Sequence, residues 1–285
     1  HPMSGPLLVH AKILCERTGR VTINGVRSAD RQQLIVDQLR TAAQVGVGEL
    51  AALTGASEMT IRRDLDTLAA CGVLRRVHGG AVPAAPSGLE PPFAARATAA
   101  VVAKRAIAEL AASMVRDGET VIVDSGTTAL AFARALRKRA VTVMPLSLHA
   151  AQALLDAPRV RLLLPGGEPR PGELALIGPL TLASLRALRF DVAVLSPCAI
   201  SLDAGLTAHE LADAEIKQQA LAVAARSVVL ADGAKWGHAA LAHICPADRP
   251  DVIVTDASAP VDQRATLADR GVLIRTVPVE PGAPR

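Results

Sequence analysis

Short apolar runs rich in β-branched residues alternate with helical patterns along most of this chain, and that alternation limits its fold more than any other feature. The runs are "TVIVD" (120–124), "VTVMP" (141–145), "VRLLLPGG" (160–167), "DVAVLSP" (191–197), "SVVLAD" (227–232) and "DVIVTD" (251–256). Between them lie segments with helical periodicity, such as "ALAFARALRKR" (129–139), "LTLASLRALR" (180–189) and "AEIKQQALAVAAR" (214–226), preceded by "AVVAKRAIAELAASMVRDG" (100–118). Parallel strands need crossover connections, and a helix is the usual one. The order therefore predicts an α/β fold with an open, mostly parallel sheet covered by helices.

Ahead of this region, "VPAAPSGLEPP" (82–92) breaks both helix and strand patterns with prolines and a Ser-Gly step. It predicts a basic N-terminal extension over 1–27, a small domain over 28–82, a linker over 83–95 and a large domain over 96–285. At 285 residues and 50% hydrophobic, the chain can bury two cores. Its formal charge of +4, from 31 basic and 27 acidic residues, permits a polyanionic partner without demanding one. Cys15, Cys71, Cys198 and Cys245 are scattered, so neither a disulfide framework nor a zinc site is expected. His209-Glu210 lacks a second histidine, and His238 with His243 lacks a third ligand, so no metal or other cofactor is expected. No apolar run reaches the roughly 18 residues of a membrane span, and residues 1–27 lack a signal-peptide pattern, which predicts a cytoplasmic protein away from membranes. With aromatics at 1% and no Tyr, a stacking platform for single-stranded nucleic acid is excluded.

The small domain reads as helix, turn, helix. "SADRQQLIVDQLR" offers Ser28 as an N-cap and Leu34, Ile35 and Leu39 as an apolar face, and "VGVGELAALTG" supplies Leu50 and Leu53. In "SEMTIRRDLDTL" (57–68), Ser57 is the N-cap, Glu58 suits the helix dipole and Gly72 is the expected stop. Stepping 100° per residue puts Ile61, Leu65 and Leu68 on one inward stripe. Arg63 then lies nearly opposite, flanked by Met59, Thr60 and Thr67, while Arg62 projects sideways. One arginine is placed to reach base edges and the other phosphate. "VLRRVHGGAV" predicts a hairpin turning at His78-Gly79-Gly80, a wing that offers Arg75 and Arg76 to a DNA backbone. Arginines 31, 40, 62, 63, 75 and 76 are balanced by acids 30, 37, 49, 58, 64 and 66. Position rather than total charge marks the third helix and wing.

Three loops of the large domain follow strands, on the side where open α/β sheets bind ligands. "DSGTTAL" opens a helix and offers Ser125, Gly126, Thr127 and Thr128 to an anion. "LPGGEPRPGE" brings Gly166 and Gly167 to a strand end, and "ADGAKWG" brings Lys235.

The run from "RQQLIVDQLR" through "TIRRDL" to "RVHGGAV" resembles the winged helix-turn-helix of DeoR-family bacterial transcriptional regulators. The resemblance implies DNA-binding roles for Ser57, Thr60, Arg62, Arg63, Arg76 and His78. It continues to about residue 257, where the family's sensor domain is similar to ribose-phosphate isomerases and glucosamine-phosphate deaminases. The marks carried over are Asp124 to Thr128, Gly166-Gly167, Gly205-Leu206-Thr207, Glu215 with Lys217, and Asp232 with Lys235. They imply a phosphorylated sugar as effector and a double-stranded operator as partner. Two positions depart from the family: Pro145-Leu146-Ser147 replaces T-N-S, and Cys198-Ala199-Ile200-Ser201 replaces D-G-I-D. The polar groups lost there leave the effector's identity open. Cys198 itself reads as a small buried residue rather than a reactive thiol. One short helix reads few bases, so a homo-oligomer is expected. The rival expectation is a sugar-phosphate isomerase or deaminase, with Asp203 and Glu215 as the carboxylates able to move a proton.

Overall fold

The computed structural model describes residues 28–42, 44–70, 74–83 and 90–278. The N-terminal extension, the expected stop at Gly72 and residues 84–89 of the linker lie outside the described residues. The chain divides after Pro86 into two compact units.

The first unit contains α1 (Ser28–Thr41), β1 (Val45–Gly46), α2 (Val47–Thr54), α3 (Glu58–Ala70), β2 (Leu74–Val77) and β3 (Gly80–Pro83). Its core is built from Ile35, Leu39, Val47, Leu50, Ile61, Leu65, Leu68, Leu74 and Ala81. The inward stripe of α3 is as its periodicity predicts. Leu34 and Leu53 differ from expectation, being 38% and 51% exposed. On α1 the buried stripe runs Arg31, Ile35, Leu39, and on α2 it runs Val47, Leu50, Thr54, where Thr54 donates its hydroxyl to Leu50 O at 2.7 Å. Arg31 is buried because its guanidinium pairs with Asp64 on the inner side of α3, where Gln32 also donates at 3.2 Å. A charged group can lie in this small core only when paired in this way.

The wing has three strands rather than two. β2 and β3 pair antiparallel, with Arg76 opposite Ala81, and β3 also pairs with the two-residue β1. So short a strand leaves no periodicity to detect. Gly80 is where β1 comes close: a Cβ there would stand 2.0 Å from Val45 O.

The second unit opens with α4 (Phe93–Thr98) and α5 (Val101–Ser113), so the expected linker of 83–95 overlaps the last residue of β3 and the start of α4. It continues as β4 (Thr120–Val123), α6 (Thr127–Leu136), β5 (Val141–Pro145), α7 (Leu148–Leu154), β6 (Val160–Leu162), β7 (Glu168–Pro169), β8 (Leu176–Ile177), α8 (Pro179–Arg186) and β9 (Phe190–Leu195). β10 (Ala199–Ser201), β11 (Gly205–Ala208), α9 (Leu211–Val223), β12 (Ala224–Leu230), β13 (Ala242–Cys245), β14 (Val252–Asp256), α10 (Val261–Asp269) and β15 (Leu273–Val277) complete it. Seven strands form one sheet in the order β15-β14-β12-β9-β4-β5-β6, with each neighbouring pair parallel. Alternate residues serve opposite cores. Val121, Val123, Val192 and Val194 pack with Ile107 and Phe132 from α5 and α6, whereas Ile122, Ala193 and Leu195 pack with Leu185, Ile216 and Trp236. Burial on both faces explains why these strands read as continuous apolar runs. A smaller antiparallel sheet, β10-β11-β13, and the β7-β8 pair extend the second face.

The strand order sets where a ligand can bind. From β4 the chain moves outward through β5 and β6, then returns to β9 on the other side of β4 and moves outward through β12, β14 and β15. The reversal lies between β4 and β9, and open α/β sheets carry their ligand crevice at the carboxyl ends of such a pair.

Candidate functional site

In the first unit, α3 presents the expected outward face. Ser57 caps it by accepting from Thr60 N at 3.2 Å, and its hydroxyl lies 2.9 Å from Thr60 Oγ1. Met59, Arg62, Arg63 and Thr67 are exposed on the helix, as are Arg75 and His78 on the wing. Two of the arginines already have partners. Arg62 pairs with Glu58 at 3.0 Å one turn earlier, both side chains being solvent-exposed. Arg76 pairs with Asp66 at 3.1 Å and donates to Gly80 O at 3.3 Å, which fastens the wing to α3. Arg63 projects without a comparable pair among the described residues, leaving its fork of donors open to solvent.

In the second unit, the loops that follow β4, β9 and β12 meet at the reversal of strand order. Asp124 directly follows β4, and its carboxylate accepts from Ser125 N and Ser196 N, each at 2.7 Å. It thereby ties the β4 loop to the β9 loop. Lys217 of α9 reaches the same carboxylate at 2.9 Å and Asp213 at 2.6 Å, with its Nζ 3.5 Å from Ser125 Oγ. Burial opposes charge on this lysine, but Asp124 and Asp213 outweigh it and hold the ammonium well above its ordinary pKa. Burial pushes the Asp124 carboxyl above the usual range, against the pull of Lys217.

Above this buried cluster, Gly126 at φ +91° begins α6 with no side-chain cap. The N–H groups of Thr127 and the residues after it therefore retain the donor capacity that a capping side chain would take up. Thr128 Oγ1 is buried and has no hydrogen-bond partner among the described residues. From the β12 loop, Lys235 donates to Ser196 Oγ at 3.0 Å and to Pro197 O at 2.7 Å. Burial lowers its pKa, since the ammonium is partly stripped of water. The result is a set of backbone donors, hydroxyls and one ammonium at a helix N-terminus, an arrangement suited to an anion.

Several expected residues lie elsewhere. Glu215 is exposed, two residues from Lys217 and so on another face of α9, and Asp213 takes the place it was expected to fill. The i to i+4 spacing of Asp213 and Lys217 is the signal that could have identified the pair. Asp124 and Lys217 are buried and bonded within the protein, so they support the loop rather than face its opening. The Gly166-Gly167 loop is tied to α8: Gly166 O accepts from Thr181 at 2.7 Å, and a Cβ on Gly167 would stand 1.9 Å from Thr181 Oγ1. Close packing accounts for that glycine pair. At the departures from the family pattern, Ser147 caps α7 by accepting from Ala150 N at 3.2 Å, and Ser201 accepts from Asp203 N and Ala204 N, each at 3.3 Å. Cys198 is half-buried, its Sγ 3.9 Å from Glu90 Oε1, and burial raises its thiol pKa. Among the described residues, no three His, Cys, Asp or Glu side chains gather as a metal site, and no helix is long and apolar enough to cross a membrane.

Comparison with known proteins agrees with this division. The profile of the DeoR-like helix-turn-helix domain matches residues 31–86, and that of the DeoR C-terminal sensor domain matches residues 99–257. A protein of Escherichia coli O157:H7, provisionally named as a transcriptional repressor of the aga operon, is 32% identical over 90% of this chain and 96% of its own. The transcriptional repressor AccR of Agrobacterium fabrum is 34% identical over 80% and 89%. The glycerol-3-phosphate regulon repressor of Escherichia coli K12 is 28% identical over 87% and 98%. A ribose 5-phosphate isomerase from Methanocaldococcus jannaschii superimposes with a TM-score of 0.36 and 19% identity over 47% of this chain and 53% of that one, a likeness too loose to bear on function. The helix-turn-helix profile falls on the unit with the outward-facing arginine helix and the sensor profile, over more than half of the chain, on the parallel α/β unit: this protein belongs to the DeoR family of DNA-binding transcriptional regulators.

Proposed function

We propose that this regulator represses a carbohydrate-metabolism operon in the cytoplasm, as a homo-oligomer, and that a phosphorylated sugar bound in the sensor unit alters its hold on the operator. The observation that carries this reading is the convergence of Ser125, the uncapped start of α6 and Lys235 at the reversal of strand order. The phosphate would lie against the N–H groups of Thr127 and Thr128 and accept from the Thr127 hydroxyl, with Lys235 beside it, and the sugar would lie toward the loops after β9 and β12. Relatives named for the aga operon and the glycerol-3-phosphate regulon favour this class of ligand. On the DNA side, Arg63 would reach base edges from α3, and Ser57, Met59, Thr60 and Thr67 would line the same groove. Arg62, Arg75, Arg76 and His78 would contact the backbone.

The sensor unit is read as a binder without turnover. Proton transfer at a sugar carbon needs a positioned base. Asp203 and Glu215 are exposed, Asp124 and Asp213 are committed to Lys217, and Glu90 and Glu173 are paired with Arg96.

The test is fluorescence anisotropy on a duplex from the regulator's own upstream region, with and without glycerol 3-phosphate, ribose 5-phosphate and hexose phosphates. Wild type should respond to at least one of them, and Thr127→Val should bind operator normally without responding. Linkage requires the same compound to bind more weakly when operator is present, if it is an inducer. A Thr127→Val protein that responds like wild type would remove the phosphate from this loop.

A further inference from the structure

Arg96, a residue outside the loops considered so far, stands over the start of α6. Its Nη1 lies 3.8 Å from where a Cβ on Gly126 would be, beside Ser196 Oγ at 3.9 Å from the same point. A cation is unfavourable at the positive end of a helix dipole unless anions compensate it. Two carboxylates do so here: Glu90 lies 3.1 Å from Nη2, and Glu173 pairs with the same nitrogen. Arg170 holds Glu90 from its other oxygen at 2.7 Å.

The segment carrying Arg96 is held by a few specific contacts. Phe93 stacks on His149 of α7 at 4.1 Å, the Arg96 guanidinium lies 5.8 Å from the Phe93 ring centre, and Lys104 donates to the carbonyl oxygens of Arg96 and Ala99. The left-handed backbone at Ala100 (φ +51°) follows this segment, and that at Leu174 (φ +53°) adjoins Glu173. These are the only non-glycine residues with positive φ among the described residues, and such conformations persist where the surroundings impose them, often at ligand clamps.

We propose that Arg96 is a phosphate-binding residue of the sensor site, and that an entering phosphoryl group takes its guanidinium from Glu90 and Glu173. The proposal rests on the reading of the α6 loop as a phosphosugar site. Arginine binds phosphate through two parallel N–H donors, and a dianion is a stronger partner than either carboxylate. Once phosphate lies against Gly126, its charge repels Glu90 and Glu173, which lose the cation between them. Occupancy is then registered by residues 90–98, on the sensor side of the division after Pro86. A ligand can shift a regulator only through contacts that differ between its states, and this exchange of partners is one.

The experiment is isothermal titration of the full-length chain with inorganic phosphate, glycerol 3-phosphate and ribose 5-phosphate. Arg96→Gln should weaken the best of these probes about tenfold or more, the loss expected for a charge-assisted bond. Arg96→Lys should retain part of the affinity. Glu173→Gln should tighten binding, because a competing carboxylate is gone; a residue that only supported the fold would not give that gain. Arg137→Gln, at the opposite end of α6 and paired with Asp156, is the control and should match wild type. Hydrogen exchange over 90–98 should change when the probe binds wild type. Wild-type affinity in Arg96→Gln overturns the role of Arg96 and leaves the loop assignment standing. Should Arg96→Gln fail to fold, unchanged or weaker binding in Glu173→Gln overturns it instead. If neither these probes nor the hexose phosphates bind the wild type, the phosphosugar reading falls and this inference falls with it.

Discussion

Asp213 and Lys217 stand one helical turn apart on α9, both buried, with the ammonium 2.6 Å from the Asp213 carboxylate and 2.9 Å from that of Asp124. The contact joins a helix on one face of the sheet to the loop at the strand reversal. Because Asp124 also receives the N–H groups of Ser125 and Ser196, one lysine indirectly fixes the loops after both β4 and β9.

Breaking this cluster should therefore be costly to stability. Lys217→Met leaves two buried carboxylates without a cation, and removing one partner of a buried ion pair costs about 3–5 kcal/mol. Asp213→Asn should cost less, since Asp124 still neutralises Lys217. The pH dependence has a definite sign. A base whose folded pKa is raised contributes stability below its unfolded pKa and loses it as pH rises through the folded value. For Lys217, raised above the ordinary lysine value, that loss lies on the strongly alkaline side. The stability gap between wild type and Lys217→Met, measured by urea titration, should widen as pH rises from 6 to 9, because the carboxyls left without a cation, already pushed up by burial at Asp124, ionise in the mutant while Lys217 stays charged in wild type. A gap that shrinks with rising pH in that window would contradict the ionised pair.

Much of this arrangement is legible in the sequence because the sheet is buried on both faces. Runs such as "DVAVLSP" have only one consistent reading in that setting, and the inward stripe of α3 follows from Ile61, Leu65 and Leu68 alone. Elements whose existence depends on a distant partner are harder to read. β1 forms only because β3 offers it an edge, and Asp64 is buried only because Arg31 of α1 reaches it. Within the site, Glu215 is the carboxylate nearest Lys217 in sequence, yet helix geometry brings Asp213 to it. Arg96 carried no motif of its own; it reaches the site from a stretch whose prolines suggested only a linker.

The two arginines of α3 should separate in their effects on DNA. Arg63→Ala should reduce discrimination between operator and scrambled duplex by about 1–3 kcal/mol, the worth of a bidentate base contact. Arg62→Ala should weaken both duplexes alike. The Glu58–Arg62 pair adds a further expectation, because a carboxylate beside an arginine opposes the contact with DNA phosphate proposed for it. Glu58→Gln should raise non-specific affinity and steepen its salt dependence. Anisotropy at several salt concentrations measures all three, and equal losses on both duplexes for Arg63→Ala would refute its role in base reading.

The glycines of the wing turn should also be unequal. Gly79 has φ +77° with open space around it, so Gly79→Ala incurs only the left-handed penalty of about 1–2 kcal/mol. At Gly80 the obstacle is backbone, Val45 O, which cannot swing aside as a side chain can. Gly80→Ala should separate β1 from β3 and weaken operator binding well beyond Gly79→Ala, with thermal unfolding of the first unit following the same order. The reverse order would mean that the β1 pairing does not support the wing.

If Lys235 sits beside the phosphate as proposed, ligand affinity should depend on pH in a definite direction. Burial lowers its pKa in the unliganded protein, and a phosphate dianion beside it favours the charged form and raises that pKa again. Binding is then coupled to proton uptake once the pH exceeds the value in the unliganded protein. Affinity should hold steady at lower pH and fall as pH rises through that value, by up to about tenfold per pH unit. The phosphate's own second ionisation, near pKa of about 6, is complete before this window and affects every variant equally. Cys198, its thiol pushed up by burial, also titrates on the alkaline side, so Cys198→Ser is needed as the background. In that background Lys235→Arg, charged throughout, should give a shallower profile to pH 10 than Lys235, what slope remains coming from Lys104, whose pKa burial also lowers. Calorimetry with glycerol 3-phosphate from pH 7.5 to 10 decides the matter, and parallel profiles would mean that Lys235 does not touch the phosphate.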